Sequence, residues 1–148
     1  MTEDRPFFRV FHITREQAAA EQIEGAIRAF YDGHFAIAIT LAAAAEGMSS
    51  LSTGGGLWAS ITNNPNRLRL HDNVEKDKKL WSTRLNETRD WLKHDKSMPN
   101  RNLAAVEAGI FILRAMDKWE PWSADMVTFK ELWFTSPKLL HPDEYHRT

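Results

Sequence analysis

Cysteine is absent from this chain of 148 residues, which excludes disulfides, thiolate nucleophiles and Cys-based zinc sites. Any metal site would have to be built from histidines and carboxylates. Long apolar runs are also missing: the longest, Phe35 to Ala45 broken by Thr40, is about half of the roughly 20 residues that a membrane-spanning helix needs. No membrane partner is therefore expected. Met1 to Pro6 begins acidic and lacks the basic region and apolar core of a signal peptide, so a cytoplasmic location is the expectation. Neither sign of charge dominates, since the net charge is −1, and the molecule as a whole is no polyelectrolyte. No stretch alternates apolar and polar residues for long enough to predict a strand. Gly54-Gly55-Gly56 is followed by no Gly-Lys-Ser/Thr and preceded by no strand, so it is not a phosphate loop.

Apolar residues make up 43% of the chain and charged residues 26%, values ordinary for a folded globular domain. With no composition break and no internal repeat, a single domain over residues 1–148 is expected, its core spanning about 14–134 and an extended tail following from 135 to 148. Thr14-Arg15-Glu16-Gln17 reads as a capping box that opens a first helix. Ile23, Ala26, Ile27, Phe30 and Tyr31 form its apolar stripe, and Asp32-Gly33 ends it. A second, Ala-rich helix is predicted from His34 to about Met48, making an antiparallel hairpin with the first. A short helical piece around Leu57–Ile61 sits in an otherwise loop-like stretch from Ser49 to Pro65. A third helix is predicted from about Asn73 to His94, with Leu80, Trp81, Leu85, Thr88, Trp91 and Leu92 on one face. Asn100 or Asn102 would cap a fourth, whose stripe is Leu103, Val106, Ile110 and Leu113 and whose end lies near Trp119. A shorter helix from Ser123 to about Phe134 completes the expectation of an all-α, antiparallel bundle of four main helices plus a short fifth.

Charge is not evenly spread along the chain. Residues 67–101 carry ten basic residues against six acids, while the segments on either side are net acidic. This basic segment reads either as a solvated helix face laced with ion pairs or as a footprint for a polyanion. Within it lies Arg89-Asp90-Trp91-Leu92-Lys93-His94. It joins a fixed cation suited to phosphate with a group that can move a proton near neutral pH. Arg89 could instead pair with Glu87, Asp90 or an acid on another helix, and His94 could act as a polar cap. Arg28 and His34 form a looser pair that crosses the predicted turn and is discounted. His141 to His146 resembles a metal-ligand cluster, but its interior proline and place near the end of the chain favour a tail, so no metal or other cofactor is expected. Trp119 and Trp122 read as a cover over the end of the bundle, with base stacking the alternative.

The Ala-rich hairpin (Ala18-Ala19-Ala20-Glu21-Gln22 and Ala42-Ala43-Ala44-Ala45-Glu46), the basic helix ending in Arg89-Asp90-Trp91-Leu92-Lys93-His94 and the apolar helix that follows together resemble the HEPN superfamily over roughly residues 14–118. Trp91 to His94 is also similar to a Phe-Phe-Lys-His stretch of uncharacterised bacterial HEPN-like proteins. The resemblance implies a helical bundle, commonly dimeric, in which an Arg-x4-His motif supports metal-independent RNA cleavage in toxin, defence or RNA-processing settings. Carried onto this chain, it makes Arg89 and His94 catalytic, with Asp90 at the polar second position of the motif and Glu46 as a loose match to a supporting acid. Lys78, Lys79, Arg84 and Lys93 would then contact RNA, and a second copy, a cognate antitoxin or another protein would be the partner. The chain departs from many toxin members in having Lys96 where they have a tyrosine. The alternative is a catalytically inert HEPN-like module that binds RNA, a nucleotide or a protein through the same basic helix.

Overall fold

The computed structural model describes residues 6–49, 74–94 and 98–136. Among these every regular element is helical: a 3₁₀ turn at Pro6–Phe8, α1 (Arg15–Tyr31), α2 (Phe35–Met48), α3 (Val74–Lys93), α4 (Ala105–Lys118) and α5 (Ala124–Thr135). The helices form the expected antiparallel bundle. The piece expected at Leu57–Ile61 and the cluster at His141–His146 lie outside the described residues. So does the expected tail, except at its start: α5 carries the helix through Thr135, whose hydroxyl donates to the Glu131 carbonyl at 2.6 Å.

Local chemistry sets the first hairpin. The Thr14 hydroxyl accepts from the Gln17 N–H at 3.1 Å, and the Gln17 side chain accepts from the Thr14 N–H at 2.9 Å, which satisfies two donors that a helix start leaves open. At the other end Gly33 takes φ 78°, a region where a Cβ is disfavoured. That conformation lets the Gly33 N–H reach the Phe30 carbonyl at 3.0 Å and the His34 N–H reach the Ala29 carbonyl at 2.8 Å, and the chain reverses.

Helix α2 occupies the centre, against α1, α3 and α4, and α5 lies against α1 and α4. Small side chains make this possible: Ala38, Ala42 and Ala45 are fully buried beside Ile39, so neighbouring backbones approach closely. Bulk comes from α4 and α5. Phe111, Ile110, Ile112, Leu113 and Phe129 are buried, each contributing about 1.5–3 kcal/mol relative to exposure. The Phe129 ring meets Phe30 edge-on at 5.4 Å and stacks on Trp133 at 6.1 Å. Gly109 lies so close beneath the Trp133 ring that any Cβ there would overlap it.

Two details differ from the sequence reading. Tyr31 and Leu80 were placed on buried stripes, yet both are exposed. The register that buries Trp81, Leu85 and Thr88 on α3 turns Leu80 about 100° away from Trp81. Helix α4 is capped neither by Asn100 nor by Asn102. Its N-cap is Ala104, and the open backbone donor there is satisfied from within the helix by Glu107.

Candidate functional site

Helix α3 carries two polar groups with different surroundings. Thr88 is fully buried on the face of α3 that also buries Trp81 and Leu85. A hydroxyl taken out of water needs a partner, and it finds Glu107 on α4, itself completely buried. Thr88 Oγ1 donates to Glu107 Oε1 at 2.7 Å and accepts from Arg101 Nε at 3.1 Å. Arg84 Nη2 donates to Glu107 Oε2 at 3.2 Å, and the Ala104 N–H donates to the same oxygen at 3.0 Å. Arg101 also lies 3.8 Å from the Glu87 carboxylate. Both oxygens of the buried acid are thus satisfied, and two arginines offset its charge from the rim.

Arg89 and His94 lie outside this network. The Arg89 side chain is about one-third exposed, and its ion pair is with Asp90, the next residue, at 3.7 Å. The His94 side chain is exposed, while its backbone N–H continues the helical ladder to the Asp90 carbonyl at 2.8 Å. Just beyond, the Trp91 indole donates to the Met98 carbonyl at 2.9 Å and fastens the chain to the end of α3.

At about 100° per residue, Arg89 shares one flank of α3 with Lys78 and Lys93, and Arg84 projects from the opposite flank. Lys79, Asp90 and His94 point away from the bundle, with Lys79 and Lys93 exposed and Lys78 half-buried. Of the residues named as RNA contacts, Arg84 is drawn into the buried network and stands apart from the other three. Arg89 and His94 are separated by about 140° around the helix, so one copy does not point both at a single reacting atom.

Glu46, named as a supporting acid, has a different partner. It is buried, and Arg114 on α4 grips it with two parallel hydrogen bonds of 2.8 and 2.9 Å. The indoles of Trp119 and Trp122 donate inward, to the Ala45 carbonyl at 2.6 Å and the Met116 carbonyl at 2.7 Å, and Lys130 covers the Trp122 ring at 5.2 Å. They close the end of the bundle, as the first of their two readings had it. Among the described residues no group of three or more histidines and carboxylates is placed to hold a metal ion. No described helix is long and apolar enough to cross a membrane.

Sequence reasoning missed Glu107, Arg101 and Arg114. Two signals were present: a threonine inside an otherwise apolar stripe at position 88, which demands a buried partner, and a glutamate at the third position of a helix that has no side-chain cap. Neither signal names the partner. No protein-family model matches this chain, and neither a curated protein nor a solved structure shows significant similarity to it.

Proposed function

We propose that this protein is a HEPN-like helical module that cleaves RNA without a metal ion, using Arg89 and His94 in a homodimer. The observation that carries this reading is the contrast along α3: Arg84 and Thr88 are bound to the buried Glu107, whereas His94 is exposed and Arg89, a third of its side chain open, pairs among the described residues with its neighbour Asp90 alone. In the reaction His94 takes the proton of a ribose 2′-OH, and that oxygen attacks the adjacent phosphorus. Arg89 neutralises the charge that develops on the phosphoryl oxygens. The bond to the 5′-oxygen breaks, and that oxygen takes up a proton, leaving a 2′,3′-cyclic phosphate and a 5′-OH. The 140° separation on one helix is the reason for a dimer, in which Arg89 of one copy and His94 of the other face one phosphate. Asp90, 3.7 Å from Arg89, orients the guanidinium. A cognate antitoxin or another protein partner would act by covering this end of α3.

The same separation also favours a second reading, an inert module that binds RNA, a nucleotide or a protein through Lys78, Lys79 and Lys93. Incubation of a mixed, structured RNA with the protein in EDTA distinguishes the two. The expected result is cleavage leaving cyclic-phosphate ends, reduced at least about 100-fold by Arg89→Ala or His94→Ala at unchanged circular dichroism. No cleavage by the folded native chain, or cleavage that survives both substitutions, would overturn the catalytic reading. RNA retention that depends on the three lysines and not on His94 would then establish the second.

A further inference from the structure

The segment before α1 is the most exposed apolar stretch among the described residues. Phe7 is 94% exposed, Val10 95% and Phe11 77%, with Phe8 and Ile13 also largely or half open. Three phenylalanines and two aliphatic side chains at these exposures present roughly 600 Å² of apolar surface, the upper end of what a monomer leaves uncovered. An isolated exposed leucine needs no explanation, but a run of this kind does.

At the other end of the α1–α2 hairpin lies an apolar groove of about 450 Å³, lined by Gly33, His34, Phe35, Ala36, Ile37 and Leu103. Its volume falls in the range of about 300–1,000 Å³ that accepts ring-sized groups. Ile37 on its wall is 52% exposed. Phe11 cannot reach this groove in its own chain. It lies three residues from Thr14, a span of about 11 Å at most, whereas the 17 residues of α1 separate Thr14 from the groove by about 26 Å. Phe11 and Ile13 can therefore reach such a groove only in a second molecule.

We propose that residues 6–13 of one copy dock into the groove at Gly33–Ile37 of a second copy, and that the exchange is reciprocal. Two arms of roughly 600 Å² each offer about 1,200 Å² between them, the lower end of the roughly 1,200–2,000 Å² of a stable protein interface. Charge agrees with the apolar match: Arg9 stands between the docking side chains, and Asp32 is exposed beside Gly33 at the mouth of the groove. The inference does not depend on ribonuclease activity, because the interface is built from residues outside the Arg89–His94 surface.

Sedimentation velocity at micromolar concentration tests the exchange directly. The native chain is expected to sediment at twice its 17.0 kDa mass. Phe7→Ser/Phe11→Ser, which removes rings that bury little in the monomer, and Ile37→Asp, which alters a half-exposed wall, are each expected to give folded monomers. Self-association should weaken at least about thirtyfold for each anchoring ring lost. The decisive step is mixing: the arm variant keeps an intact groove and the Ile37→Asp variant keeps an intact arm, so together they should regain association that neither has alone. A monomeric native chain overturns the proposal, including one that binds vesicles or another protein through the arm. So does a dimer that survives either variant, or a mixture that stays monomeric. Loss of RNA cleavage with the dimer retained would count against the proposed function and leave this interface standing.

Discussion

Arg84 and Arg89 are five residues apart on one helix and have different roles. Arg84 reaches a carboxylate that water cannot touch, in a network where Glu107, Thr88, Arg101 and the Ala104 N–H each meet a partner. Arg89 leans on its neighbour Asp90 at 3.7 Å, with a third of its surface open. The first arrangement joins α3 to α4, because a buried acid stripped of its donors would carry a large desolvation cost. The second contributes little to the fold, since exposed ion pairs are worth about 0–1 kcal/mol. Among the described residues Arg89 has no partner on another helix, and the sequence alone, which offered Arg84 as an RNA contact, does not show that Arg84 is held by a buried acid.

The largest test of that contrast is Glu107→Ala, which leaves Arg84, Thr88 and Ala104 without their acceptor. It is expected to cost about 3–5 kcal/mol, read from the midpoint of urea unfolding. Thr88→Val comes next. It preserves shape while removing the hydroxyl that links Arg101 to Glu107, and it should cost about 1–3 kcal/mol in the same experiment. Arg89→Ala and His94→Ala should move the midpoint by less than about 0.5 kcal/mol each. A larger shift from either would show that the end of α3 shares the structural work and would erase the contrast.

The smallest effect lies away from both regions, at Tyr31. Although much of Tyr31 is exposed, the partial burial of its side chain, and secondarily the charge of Asp125, raises its pKa above the ordinary tyrosine value of about 10. The folded chain therefore holds a proton that the unfolded chain releases. Stability is unaffected below about pH 10 and falls as the pH rises beyond it. Tyr31→Phe should flatten that alkaline slope, measured by thermal melts across the range.

What was legible in the sequence follows the range of the interactions. The capping box at Thr14 and Gln17 and the turn at Gly33 depend on residues a few positions apart, and both formed as read. The stripes through Ile23, Ile27 and Phe30 and through Ile110 and Leu113 follow helical spacing, and the core contains them. Glu107 was not legible, because its meaning comes from Thr88 and Arg84, 19 and 23 residues earlier. Glu46 was read as a candidate supporting acid for want of its partner Arg114, 68 residues away. The exposed arm from Phe7 to Ile13 also escaped the sequence reading, because apolar residues look like core until the fold shows their exposure.

One paired measurement bears most directly on the account: urea midpoints and EDTA-resistant RNA cleavage, taken side by side for Thr88→Val and His94→Ala well below either melting temperature. The account predicts a crossed result, in which Thr88→Val loses stability and keeps cleavage while His94→Ala keeps stability and loses cleavage. Cleavage that falls with Thr88→Val and persists with His94→Ala would contradict it, placing the chemistry at the buried acid and leaving the end of α3 without a role.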